Sequence, residues 1–235
     1  MGGDARVRVV FLDALGTLLA LEPPAPRLVA ALAARGVDVG ADVAAAALGA
    51  EIAYYREHHH EARDLATLAD LRARCTAVLQ EHLPARVPDL HGALMASLRF
   101  TPFPEAGAAL AALRAAGLTL IVVSNWDVSL HEALASTGLR RQVDGAISSA
   151  EAGAAKPDPA IFERALALAG GGLTAADAVH VGDEPVDVEG ARAAGIRPIL
   201  VHRGPAALLP PAAVAADPSV PVLSDLTGLP ALILP

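Results

Sequence analysis

The chain predicts an α/β fold: a doubly wound parallel sheet with an all-helical domain inserted after the first strand. Three observations carry this. Short apolar, β-branched-rich runs alternate with helical patterns that close on glycine. The alternation is interrupted once, over residues 22–100, where only helical patterns occur. Prolines flank that block on both sides, in Glu22-Pro23-Pro24-Ala25-Pro26 and in Thr101-Pro102-Phe103-Pro104.

Val7–Leu12 is a continuous apolar run of strand length and reads as a strand buried on both faces. Leu118–Val123, Ala178–Gly182 and Ile196–His202 read the same way, with a shorter candidate at Gly145–Ser148. Between them lie the helical patterns Pro104–Ala116, Ser129–Thr137, Pro157–Ala169 and Val186–Ala194, closed by Gly117, Gly138, Gly170 and Gly195. Within the inserted block, helices are predicted at Arg27–Arg35, Asp42–His59, Leu65–Leu83 and Asp89–Leu98. The expected core is therefore 1–21 and 101–235, the expected helical domain 22–100, and its two proline-containing linkers are read as hinges. Val220–Leu223 is a candidate last edge strand in a C-terminal stretch rich in proline and alanine.

Of the 235 residues, 54% are apolar, enough for one sizeable core or a core with a small second domain. The windows apolar enough to suggest a membrane helix, such as 106–123, are broken by Arg114 and Gly117, so no span is predicted. No signal peptide is visible, and a cytoplasmic location is expected. The formal net charge of −8 argues against a nucleic-acid binder, and a small anionic substrate, the expected partner, would need local positive charge. Cys75 is the single cysteine and lies in an apolar helical stripe with Leu68, Leu71, Val78 and Leu79, which marks it as core. Oligomeric state is not legible.

In an open parallel sheet, ligands bind at the carboxyl ends of the strands. The first strand ends in Asp13, the Leu118–Val123 strand in Ser124-Asn125, and the Ala178–Gly182 strand in Asp183, with Asp187 four residues on. Lys156, the only lysine of the chain, precedes Pro157 at the predicted start of a helix. A nucleophilic carboxylate, a hydroxyl and amide pair, an ammonium and two further carboxylates would thus share one rim. A chain that otherwise writes its basic residues as arginine uses lysine here, which suits a site needing a compact ammonium.

With these residues the chain resembles the haloacid dehalogenase superfamily. The matching stretches are Asp13-Ala14-Leu15-Gly16-Thr17-Leu18, Ser124-Asn125 within VVSNWD, Lys156 within AKPDPAIF, and Asp183 with Asp187 within HVGDEPVDVEGARAAG. The resemblance covers residues 7–20 and about 100–205, and implies a Rossmann-like core, a helical cap at 22–100, a covalent aspartyl intermediate on Asp13 and, in phosphate-handling members, Mg²⁺. It gives Lys156 the task of neutralising Asp13 and the transition state, and makes Gly16, Thr17, Ser124, Asn125 and Lys156 substrate-binding. The metal would sit on Asp13, the backbone carbonyl of Leu15, Asp183 and Asp187.

Leu15 departs from the pattern. Phosphatases of this superfamily usually carry a second aspartate two residues after the nucleophile, to protonate the leaving alkoxide and activate the attacking water. Leucine does neither, a loss of about 10²–10⁴-fold in rate. Three readings follow: a Mg²⁺-dependent phosphatase-type hydrolase for a small metabolite with a good leaving group or with an acid from the cap; a 2-haloacid dehalogenase, since halide leaves without a proton; and a non-catalytic protein binding Mg²⁺ or phosphate. Leucine in place of the aromatic residue of dehalogenases, and no asparagine in the fourth motif, count against the second. A phosphonate-cleaving relative is set aside because residues 22–100 hold no lysine.

His58-His59-His60 reads as a solvated helix end, because consecutive helical residues face different ways and do not converge on a metal. Tyr54, Tyr55, Arg56 and Arg27 are candidates to face the substrate from the cap.

Overall fold

The computed structural model describes residues 7–204 and 217–234. It divides into two compact units, one of Met1–Ala20 with Pro102–Pro235 and one of Leu21–Thr101.

The first unit is built on a six-stranded, all-parallel sheet in the order β5-β4-β1-β6-β7-β8. Its strands are β1 (Val9–Leu12), β4 (Thr119–Ser124), β5 (Gly145–Ser148), β6 (Ala178–Gly182), β7 (Arg197–Val201) and β8 (Val222–Leu223). Every β1 side chain is fully buried, as the unbroken VVFL run requires of a central strand covered on both faces. Val9, Phe11, Ile121 and Val123 form one inner face, packed against Ile161, Phe162 and Ala165 of α8 (Ala160–Ala169) and Ala191 of α9 (Pro185–Ala193). On the other face α5 (Ala106–Ala115) packs against β4 and against α10 (Leu229–Ile233). Two short helices, α6 (Leu130–Ser136) and α7 (Ser149–Ala152), flank β5.

The register creates the site. Leu12 of β1 lies level with Val122 of β4 on one side and Val181 of β6 on the other. Asp13 therefore emerges beside Ser124 and Asp183, at the point where the strand order reverses.

Leu21–Thr101 holds four helices: α1 (Pro24–Ala33), α2 (Ala41–His58), α3 (Leu65–Glu81) and α4 (Leu90–Ser97). Leu28 and Leu32, Ala44, Ala47 and Leu48, Leu68, Leu71, Cys75 and Leu79, and Leu90, Ala93 and Leu94 recur at three- and four-residue spacing and are buried. Asp64 caps α3 by accepting the Thr67 N–H at 2.8 Å.

Several boundaries differ from the sequence reading. Pro24 and Pro26 are not a hinge but the first turn of α1, where proline has no amide bond to lose. Thr101 and Pro102 lie in β3 (Phe100–Pro102), which pairs with β2 (Leu19–Leu21) in a two-stranded ribbon, and Glu22 ion-pairs with both Arg27 and Arg99. Both linkers are thus hydrogen-bonded or helical. α8 starts at Ala160 and not at Pro157, leaving Lys156 in a turn with a cis Lys156–Pro157 peptide. No described helix is long and apolar enough to cross a membrane.

Candidate active site

Asp13 ends a rigid strand and is held by its surroundings. Its amide donates to the Val181 carbonyl at 2.8 Å. Its Oδ1 accepts from Ser124 Oγ at 2.9 Å and from Lys156 Nζ at 2.5 Å. Oδ2 has no hydrogen-bond donor among the described residues. The carboxylate is thereby locked by one oxygen and left open at the other, as a nucleophile requires.

The loop after Asp13 is a tight turn: the amides of Leu18 and Leu19 donate to the Ala14 carbonyl, and that of Gly16 to the Leu19 carbonyl. Gly16 has φ +88°, and a Cβ there would lie 2.0 Å from Asp183 Oδ2. Both the conformation and the contact demand glycine. Thr17 Oγ1 then donates to Asp183 Oδ1 at 3.2 Å. Leu15, where an acid would stand, contributes a half-buried apolar side chain.

Lys156 is 4% exposed and spends all three protons inside the protein, on Asp13 Oδ1, on Asp187 Oδ1 at 2.5 Å and on the Val123 carbonyl at 3.1 Å. Asn125 fixes it from behind. Its Nδ2 donates to the Lys156 carbonyl at 2.9 Å and its Oδ1 accepts the Lys156 amide at 2.7 Å. Where the sequence reading has Asn125 donate to substrate oxygens, the structure engages both ends of its amide with the Lys156 main chain.

Asp187 sits behind the site. Its Oδ1 takes Lys156 and His180 Nε2, the latter at 2.8 Å, and its Oδ2 takes the Glu184 amide at 2.9 Å. Gly182 makes room for it, since a Cβ there would lie 2.1 Å from the Asp187 Cγ. With three hydrogen bonds accepted, Asp187 orients Lys156, and one lone-pair site on Oδ2 is left for the ligand role the sequence reading gives it. Among the described residues, no three His, Cys, Asp or Glu side chains are grouped to hold a metal ion.

The electrostatics divide the three acids. Burial pushes the Asp187 carboxyl up, but Lys156 and His180 outweigh it and hold it well below the usual carboxylate range. Burial and the charge of Asp187 raise Asp13 to about 6 against the pull of Lys156 and Ser124. Asp183 is raised to about 8 by burial and by the charges of Asp13, Asp187 and Glu184. Burial pulls Lys156 down, yet Asp13 and Asp187 raise it overall. Burial keeps His180 below its usual range despite Asp187. Three buried carboxylates thus face one ammonium and an imidazole whose charged form burial disfavours, and among the described residues Asp183 has no ion-pair partner of its own.

The remaining candidates lie in the helical unit and bond locally. Arg27 binds Glu22 and the Ala96 carbonyl, each at 3.2 Å. The Tyr54 hydroxyl accepts from Arg74 at 2.9 Å while its ring stacks on His58 at 4.0 Å. His59 is buried at the helix end and not solvated, and its ring packs on Tyr55 at 5.9 Å. Cys75 is buried and in no disulfide, as core packing requires. The sequence reading missed His180 and Arg203. His180 carries a signal, a lone imidazole inside an apolar strand run; Arg203 carries none.

The sequence model of the haloacid dehalogenase-like hydrolases matches residues 7–195. Phosphoserine phosphatase of Thermus thermophilus is 40% identical over 124 residues, 52% of this chain and 49% of that protein. Haloacetate dehalogenase H-2 of a Moraxella species is 34% identical over 107 residues, 45% and 47% respectively. The chain spans about half the length of these curated relatives. Among solved structures, a HAD phosphatase from Thermococcus onnurineus superposes with a TM-score of 0.66 at 21% identity, covering 97% of this chain and 98% of that one.

Proposed function

Because the chain belongs to the haloacid dehalogenase-like hydrolases, we propose that it hydrolyses a small phosphorylated metabolite with a good leaving group, using Asp13 as the covalent nucleophile. The observation that carries this reading is the charge of the buried cluster. Asp13, Asp183 and Asp187 outnumber Lys156, and burial together with the charges of Asp13, Asp187 and Glu184 raises Asp183 to about 8 against the pull of Lys156. A divalent cation supplies what is missing, and a cation beside the nucleophile suits a phosphoryl group, whereas halide displacement from carbon needs none.

The residues fit Mg²⁺ as a hard, oxygen-seeking ion held by Asp13, Asp183 and the Leu15 carbonyl. Bound there, Mg²⁺ would supply positive charge to the phosphoryl oxygens. Asp13 Oδ2 attacks phosphorus, the bond to the leaving oxygen breaks, and that oxygen departs with the electron pair. Lys156 and Ser124 hold Asp13 in place throughout, and Lys156 offsets the charge that accumulates. Water then attacks phosphorus of the aspartyl phosphate, the bond to Asp13 Oδ2 breaks, and the water's proton leaves with the released phosphate, restoring the Asp13 carboxylate. Leu15 neither donates a proton to the leaving oxygen nor accepts one from the water, which confines the substrate to aryl, enol or acyl phosphates unless the helical domain, acting as a cap, contributes an acid.

A second reading, dehalogenation, is favoured by Leu15 itself and by the similarity to haloacetate dehalogenase H-2. One experiment separates the two. The purified protein releases nitrophenol from p-nitrophenyl phosphate only with Mg²⁺, and Asp13→Asn abolishes release. Halide from 2-chloropropionate without Mg²⁺, in the absence of phosphate release, would establish the second reading instead.

A further inference from the structure

We propose that Arg203 is a positioning residue that holds the loop presenting Asp13 and fastens it to the segment by which the chain re-enters the core. The proposal rests on Asp13 as the reacting group. Arg203 follows β7 and is almost enclosed, its side chain 11% exposed. Its Nε donates to the Gly16 carbonyl at 3.0 Å and its Nη2 to the Thr17 carbonyl at 2.8 Å. Its Nη1 donates to Glu105 Oε1 at 2.7 Å, and the guanidinium lies 3.4 Å from the ring centre of Phe103. Glu105 in turn accepts the Leu226 amide at 3.4 Å.

Each contact bears on the site. Gly16 and Thr17 are the residues whose placement sets the approach of the Asp13 loop to Asp183, through the Gly16 backbone packed against that carboxylate and the Thr17 hydroxyl bonded to it. Two parallel bonds from one rigid fork fix both carbonyls at once, which a single ammonium does not do. Phe103 and Glu105 directly follow β3, and the Phe103 amide donates to the Leu18 carbonyl at 3.0 Å. The same guanidinium therefore ties the nucleophile loop to the returning chain. With three nitrogens committed and its plane covered by Phe103, Arg203 acts on substrate only through the loop.

The test follows amide hydrogen exchange in Arg203→Lys, Arg203→Met and Glu105→Gln. The bonded amides of Gly16, Leu18 and Leu19 report on the loop, and those of β4 and β6 on the sheet. Expected are loop amides that exchange at least about tenfold faster in both Arg203 variants, with the sheet protected as in the parent. Glu105→Gln loosens the fork without removing it, and falls between. In the same samples kcat on p-nitrophenyl phosphate drops about ten- to hundredfold with KM within about twofold, since a misplaced nucleophile binds substrate but reacts poorly. Parent-like loop exchange in all three variants, an equal loss of protection across loop and sheet, or faster loop exchange with parent kcat would each overturn the proposal. Should the parent protein not cleave phosphate esters, the functional reading fails on that account, while the exchange arm still decides whether Arg203 holds the loop.

Discussion

Lys156 Nζ and Asp187 Oδ1 lie 2.5 Å apart with side chains 2% and 3% exposed, and the same ammonium reaches Asp13. The consequence is a buried chain, His180 to Asp187 to Lys156 to Asp13, in which Asp187 decides where the ammonium points. Without Asp187, Lys156 keeps Asp13 as its one carboxylate partner and the buried His180 Nε2 loses its own. Asp187→Ala is therefore expected to cost about 1–3 kcal/mol of stability and to lower phosphate release. A urea midpoint equal to that of the parent would rule out this role for Asp187.

Gly16→Ala combines two faults at one position. The residue must keep φ +88°, and its methyl group must enter the space of the Asp183 carboxylate. The conformational part alone costs about 1–3 kcal/mol, and the displaced Asp183 carries further loss at the site. Thermal unfolding and Mg²⁺-dependent turnover should both fall, and a variant that retains turnover would mean Asp183 has room to move.

These positions indicate what could be read from sequence and what could not. Asp13, Ser124 and Asp183 were legible because a strand of known length ending in a polar residue places that residue on the carboxyl rim, whatever the neighbouring packing. Lys156 was legible as the one lysine of an arginine-rich chain. The parts played by Asn125 and Asp187 were not, since an amide or a carboxylate near a site looks the same in sequence whether it meets substrate or another side chain. Arg203 reaches the Asp13 loop through main-chain carbonyls, which carry no side-chain signal, and its acidic partner Glu105 lies 98 residues away in the chain. In the helical unit, Pro24 and Pro26 are ambiguous in sequence because proline marks both a linker and a first helical turn.

Metal binding should be measurable without turnover. If Asp183 is a ligand, Mg²⁺ stabilises the parent by binding the folded state, by about 2.7 kcal/mol at a hundred times its dissociation constant, and the unfolding temperature rises with it. Asp183→Asn should lose most of that gain, and Asp187→Asn should retain more of it because both Asp187 oxygens are already engaged. Equal loss in the two variants would return Asp187 to the ligand set.

Leu15→Asp tests whether proton transfer is the one function missing. The carboxylate enters a half-buried position on the loop of Asp13, and a positioned acid is worth about 10²–10⁴-fold. A gain of at least about tenfold on an alkyl phosphate, with a smaller effect on p-nitrophenyl phosphate, fits a site complete in every other respect. No gain on the alkyl ester would mean that the loop does not direct residue 15 at the leaving group.

Glu51 supplies a pH dependence far from the chemistry. It lies in α2, 4% exposed, and burial raises its carboxyl above the ordinary 4.5 while the Cys75 thiol on α3 pulls the other way. A carboxyl raised on folding contributes stability that is complete below its unfolded value and is lost as pH climbs through the folded one. Above that folded value the helical unit holds an ionised group that burial disfavours. Glu51→Gln keeps the shape and removes the charge, so it should raise the unfolding temperature more at about pH 8 than at about pH 4, where the parent carboxyl is largely protonated. A benefit equal at the two pH values, or larger in acid, would mean that Glu51 is stabilised as a carboxylate by its neighbours.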